Sequence, residues 1–85
     1  MLSKKIQELV LKVVNSALNV TYDTNHDVFV YFEAHVKKIQ VEIFKNGWTD
    51  KYPEIERIGI YLDREEAEAQ LQIIYDEIND LYFEN

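Results

Sequence analysis

The sequence predicts an α+β fold: a helix, an antiparallel sheet of three or four strands, and a second helix. The expected architecture is a two-layer sandwich with both helices on one sheet face. Three observations predict it. Apolar residues recur at helical spacing towards both ends of the chain, and between them the period drops to two. The 85 residues also suffice for one hydrophobic core but not for two, so 1–85 reads as a single domain.

Ser3 can cap a first helix, placed at about 3–18. Ile6, Leu9, Val10, Val13, Val14, Ala17 and Leu18 then form the stripe of an amphipathic helix. The β-branched Val residues lower its intrinsic propensity, so this helix depends on its packing partner. Asn19–Tyr22 could add an edge strand, and the sequence leaves that open.

Asp23-Thr24-Asn25-His26-Asp27 is a turn cluster that Asx side chains can stabilise. From Val28 the chain alternates. Val28, Val30, Phe32 and Ala34 fall on one side of a strand, and Phe29, Tyr31, Glu33 and His35 on the other. A polar break at Lys37-Lys38 leads into Ile39, Val41 and Ile43, which alternate with Gln40, Glu42 and Phe44, giving an antiparallel hairpin. Asn46-Gly47 suits a tight turn, and Trp48–Pro53 reads as a longer loop with room for a short strand. Whether Trp48 is core or surface is left open. The third strand runs from about Ile55 to Leu62, with Ile58, Ile60 and Leu62 inward and Arg57 and Tyr61 outward.

Asp63-Arg64-Glu65-Glu66 fits a capping box. Ala67, Leu71, Ile74, Ile78 and Leu81 keep helical spacing beyond it, flanked by Tyr75 and Tyr82. Two helical stripes and one apolar sheet face can bury one another. The other sheet face is then left bare, showing Phe29, Tyr31, Phe44 and Tyr61 among Glu33, Gln40, Glu42 and Arg57.

Composition narrows the function. The 13% aromatic content argues against disorder, and the absence of Cys removes disulfides and thiolate metal sites. No apolar run approaches the roughly 20 residues of a membrane span, and no signal-peptide pattern follows Lys4-Lys5, so the cytoplasm is expected. Asp23-x-Asn25-x-Asp27 opens like a calcium loop, but Val28 and Ala34 stand where that loop needs Gly and Glu. His26 and His35 lack metal-ligand spacing and read as solvated surface residues. Ser3 and Ser16, the only serines, both fall on or beside the first helix and no Cys is available as a nucleophile, and Asp76 with Asp80 is a pair that a solvated acidic helix produces by chance. No catalytic residue, metal or cofactor is expected.

The net charge of −7 is segregated. Residues 1–62 hold eight Lys/Arg and eight Asp/Glu, whereas Arg64 faces eight acids in 63–85. Such a helix either keeps a small protein soluble or imitates a nucleic-acid backbone towards a basic protein. In the second reading Glu65, Glu68, Asp76 and Asp80 make the contact. Aromatics on a sheet can also stack bases, but Glu33 and Glu42 share that face, so nucleic-acid binding is not expected. A protein contact fits better, with a symmetric homodimer as the simplest form.

Three segments carry a resemblance: Val-Phe-Val-Tyr-Phe-x-x-His (28–35), Ile-x-Val-x-Ile-Phe-x-Asn-Gly-Trp (39–48) and Ile-Tyr-Leu-Asp-x-Glu-Glu-Ala (60–67). Over residues 22–82 the layout resembles small uncharacterised proteins encoded in phages and prophages of low-GC Gram-positive bacteria. The resemblance implies a phage-related accessory protein and assigns no functional residue. Some small acidic phage proteins inhibit host nucleic-acid enzymes, CRISPR effectors included, which is the alternative expectation here. The leading one is a non-enzymatic interaction protein that self-associates through Phe29, Tyr31, Phe44, Tyr61 and Arg57, without membrane or nucleic acid.

Overall fold

A computed structural model describes residues 1–49 and 55–84. Among them, α1 (Lys4–Asp23), β1 (Asp27–Glu33), β2 (Lys38–Phe44), β3 (Ile55–Tyr61) and α2 (Ala67–Phe83) follow in order, with a single 3-10 turn at Ala34–Val36 between β1 and β2. The strands form an antiparallel sheet in the order β1-β2-β3. No helix among the described residues is long and apolar enough to cross a membrane.

Ser3 starts α1 as expected: its Oγ accepts the Ile6 N–H at 3.1 Å. The helix then runs five residues past the expected end, so Asn19–Tyr22 is helical and not an edge strand. Val20 explains the extension, because it continues the buried row of Leu9, Val13 and Ala17. Thr24 ends the helix. Its backbone N–H and its hydroxyl both donate to the Val20 carbonyl, and its Oγ1 accepts the His26 N–H at 3.0 Å. That turn is therefore organised by Thr24, while Asp23 and Asp27 bind elsewhere.

Direct pairing fixes the sheet faces, since opposed residues point the same way. Val28 faces Ile43, Val30 faces Val41 and Phe32 faces Ile39, while Ile60 pairs Ile39 and Ile58 pairs Val41. The other face carries Phe29, Tyr31, Glu33, Lys38, Gln40, Glu42, Phe44, Arg57 and Tyr61. The alternation was thus assigned correctly, with differences at the ends. Ala34 and His35 leave β1 for the 3-10 turn, and Lys37 takes a left-handed conformation (φ 54°). Lys38 is already part of β2, between Glu33 and Tyr61. Phe32 points to the inner face yet is 67% exposed, because it lies at the sheet's edge.

The chain turns tightly after β2, with the Gly47 N–H donating to the Phe44 carbonyl and both Asn46 and Gly47 at positive φ. Gly47 is needed there on two counts: its φ of 97° is strained for any side chain, and a Cβ would sit 3.3 Å from the Asn25 carbonyl oxygen. Trp48 is exposed. Of the expected loop strand, 48–49 are not in a strand and 50–53 lie outside the described residues.

α2 begins later than the capping box implied. Residues 62–66 form turns, Glu66 occupies the cap position, and no side chain bonds the helix start. The Ala67 N–H donates instead to the Arg64 carbonyl, in a tight turn that replaces the box. Beyond it, Ala67, Leu71, Ile74, Ile78 and Leu81 are buried as the spacing indicated. They join Leu9, Val13, Ala17 and Val20 of α1, and Val28, Ile39, Val41, Ile43, Ile60 and Leu62, in one apolar cluster.

The helices run parallel. Lys5 meets Glu68 at 3.0 Å, the Lys12 ammonium lies over the Tyr75 ring, and the Tyr82 hydroxyl donates to Asp23. Partners therefore ascend together along both helices, which brings both N-termini to one end of the molecule.

Candidate functional site

The outer sheet face is built on a row of rings. Phe44 and Phe29 pack with centroids 5.0 Å apart, and Phe29 meets Tyr31 edge-on at 6.3 Å. Burial falls along the row: Phe44 is 5% exposed, Phe29 is half-buried and Tyr31 is 45% exposed. Phe44 thus anchors the row and offers little contact surface, which corrects its expected role as an exposed interaction residue. Tyr31 is the ring held out at the open end.

Beside that row, Glu42 is buried and accepts a charged hydrogen bond from Arg57 Nε, across the β2–β3 pairing. The buried carboxylate is thereby compensated, and the half-exposed guanidinium remains in reach of solvent. Tyr31 leans on the same group. Loss of solvation and the Glu42 carboxylate push its hydroxyl above the ordinary tyrosine value, and Arg57 opposes them. Tyr31, Glu42 and Arg57 therefore form a small connected network at the face's centre.

Tyr61 occupies the far strand, 38% exposed, with the Lys38 ammonium and the Arg64 guanidinium both over its ring. Gly59 leaves room for this: a Cβ there would overlap the Lys38 chain, which lies across the sheet at that point. The structure thus brings Phe29, Tyr31, Phe44, Arg57 and Tyr61 onto one face, as expected. Of these, Tyr31, Tyr61 and Arg57 are open to a partner.

The acidic residues do not form one row. Glu65 lies in the turn before α2, Glu68 is paired with Lys5, and Asp76 accepts a bond from the Gln72 amide at 3.0 Å. Asp80 lines a small cleft of about 110 Å³ with Lys45, Glu56, Glu77 and Glu84. There the Glu77 carboxyl is pushed up to about 7, first by a hydrogen bond with Glu56, then by burial and the Glu56 charge, with Lys45 opposing. Sequence patterning counts Glu77 among the acids of 63–85 without pairing it to Glu56, although the inward direction of Glu56 follows from the alternation that turns Arg57 outward.

Two more features were not foreseen. His26 is buried and its Nδ1 accepts the Asn46 N–H at 3.0 Å, tying the turn after α1 to the turn after β2. It is a structural residue and not a solvated one. At the end where both helices begin, an apolar cleft of about 660 Å³ is lined by Leu2, Ile6, Phe32, Lys37, Leu62 and Arg64, among others. Among the described residues, no three His, Asp or Glu side chains come together so as to hold a metal ion.

No protein-family model matches the sequence, and neither a curated protein nor a solved structure matches it significantly.

Proposed function

We propose that this protein is a non-enzymatic interaction protein that self-associates, with the outer sheet face at Tyr31 as the contact. The observation that carries the reading is the graded row Phe44, Phe29, Tyr31, whose buried end holds its exposed end rigid. A tyrosine fixed in this way contributes contact area with little loss of side-chain freedom on binding. Arg57 beside it is another residue type favoured at contact centres.

The same proposal includes the two-layer arrangement, with α1 and α2 together over the face of Val28, Val41 and Ile60. In its favour, those residues and both helical stripes share one buried cluster. Such an arrangement frees the opposite face for contact.

The test is the solution mass by light scattering on a sizing column, over a wide concentration range, for the full chain and for Tyr31→Asp. A dimer that Tyr31→Asp converts to monomer supports the reading. An unchanged mass in the variant, or a wild-type chain that stays monomeric throughout, refutes it.

A further inference from the structure

The two edges of the sheet are unequal. Val28 donates its N–H to Thr21 Oγ1 of α1 at 3.1 Å, so its backbone points away from β2. Backbone direction alternates along a strand, and Val30 and Phe32 therefore also turn their N–H and C=O outward. Among the described residues, nothing bonds them from that side. At the other edge the Tyr61 carbonyl accepts the Arg64 N–H, and Glu56 and Arg57 place charge along β3. Charged edges resist pairing with another chain. β1 has no such guard, since Val28-Phe29-Val30-Tyr31-Phe32 runs without a charge between Asp27 and Glu33.

We propose that the open edge of β1 pairs antiparallel with β1 of a second copy, about a two-fold axis at Tyr31, forming a continuous six-stranded sheet. The proposal rests on the reading above only in that the chain self-associates with Tyr31 at the contact: it places the seam on the edge of β1, so that Arg57 and Tyr61, on β3, stay outside it. Val30 lies opposite the partner's Phe32 as a hydrogen-bonded pair, and Tyr31 lies opposite the partner's Tyr31 as the closer, non-bonded pair. Phe29 meets the partner's Glu33. The competing register, centred on Val30, sets Asp27 against the partner's Glu33 and needs the Val28 N–H that Thr21 already holds. Charge and hydrogen bonding select the same alignment.

Charge also favours a second copy. Thr21 of α1 holds the backbone of Val28 at one end of β1, and Phe32, towards the other end, is left exposed. Residues 1–33 hold three Lys against four acids, whereas 63–84 hold Arg64 against eight. α1 contacts β1 and α2 contacts β3. Joining two copies at β1 therefore brings together their least charged sides and keeps the two acidic helices at the far ends. The rows Phe44, Phe29, Tyr31 of both chains then meet in one aromatic surface.

Proline tests the backbone directly. Among the described residues the Phe32 N–H has no partner, so the backbone bond that Phe32→Pro removes is the one offered to the second copy. Phe32→Thr is the control, losing the ring and keeping the donor. Two symmetry-related bonds are lost, and Phe32→Pro is expected to weaken the dimer about tenfold or more relative to Phe32→Thr. The chain has no Cys, so a cross-link through one introduced thiol is unambiguous. Tyr31→Cys is expected to give an oxidised covalent dimer, because the non-bonded pair brings the two residues close enough for a disulfide. Tyr61→Cys, on β3, is expected to give none. A wild-type monomer overturns this proposal and the function proposed above. A wild-type dimer whose Tyr31→Cys variant forms no cross-link, or one equally strong in Phe32→Pro and Phe32→Thr, overturns the edge pairing alone. If Phe32→Pro fails to fold, as circular dichroism would show, the Tyr31→Cys variant beside the wild type still decides the matter.

Discussion

Replacing Glu77 by Gln is expected to change how the stability of this protein depends on pH. In the folded chain Glu77 keeps its proton up to about 7, held by Glu56, whereas an unperturbed Glu releases it near 4.5. The folded state therefore binds more protons between those values, and stability falls as pH rises through that interval. The contribution is fully present below the lower value and lost above the upper one. The interval corresponds nominally to about 3 kcal/mol. Because the pair opens on solvent, screening reduces this to about 1 kcal/mol. Glu77→Gln keeps a donor for Glu56 and cannot ionise, so it should escape that loss. The assay is thermal melting by circular dichroism, wild type beside variant. The variant should gain roughly 4–8 °C on the wild type between about pH 5 and about pH 8. A difference between the two that stays constant over this range refutes a proton held on Glu77 by its bond with Glu56.

Other substitutions test the packing and the turns. Ile78→Ala, at a fully buried site, should cost about 2–5 kcal/mol by chemical denaturation, with a near-native far-ultraviolet spectrum in water. Thr21→Val keeps the shape of the side chain and strips the Val28 N–H of its acceptor. It should cost about 1–2 kcal/mol and speed hydrogen exchange at Val28. Gly47→Ala is expected to cost about 1 kcal/mol or more in the same denaturation assay, from its positive φ and the nearby Asn25 carbonyl. Asp80→Lys puts a cation near the end of α2 and beside Glu77, and should raise stability by about 0.5–1 kcal/mol at about pH 8, read from melting curves.

Period and spacing carried most of the fold. The alternations at 28–32, 39–43 and 58–60 placed each residue on the face where the register finds it. Helical spacing named the buried residues of α2 without error. The first helix was cut short because Val20-Thr21-Tyr22 are β-formers, and burial of Val20 beside Val13 and Ala17 outweighs that weak preference. The signal was present, as Val20 stands seven residues after Val13. By contrast, the burial of His26 had no local signal, since its partner Asn46 lies 20 residues away in the sequence. Phe44 was assigned to the correct face and still misjudged, because alternation tells direction and not depth. In the candidate surface, the residues were legible and the division into anchor and contact was not. The unequal edges could not be read either, for they depend on the register and on the bond from Val28 to Thr21 of α1.

The segregation of charge acquires a physical reason from the parallel helices. Both N-termini lie at one end, where the partial positive charges of two helix dipoles add. Glu68 sits in the first turn of α2 and bonds Lys5 of α1, and Asp63, Glu65 and Glu66 occupy the turns just before. Those four acids face a field that favours them. The remaining acids of the segment, Asp76, Glu77, Asp80 and Glu84, lie towards the opposite end, where both dipoles are negative and neither helix has a basic residue in its last turn. Glu56 adds a further carboxylate there, with Lys45 as the nearby cation in the cleft. Holding a proton on Glu77 removes one negative charge from the crowded end. The fold thus accounts for four of the eight acids, and a proton on Glu77 offsets one of the other four. A rod of carboxylates imitating nucleic acid would need its charges free, whereas here Glu68 is paired with Lys5, Asp76 accepts a bond from Gln72 and Asp80 lines the cleft beside Glu77. Parallel packing therefore accounts for the acids at the start of α2 and leaves those near its end unfavourably placed.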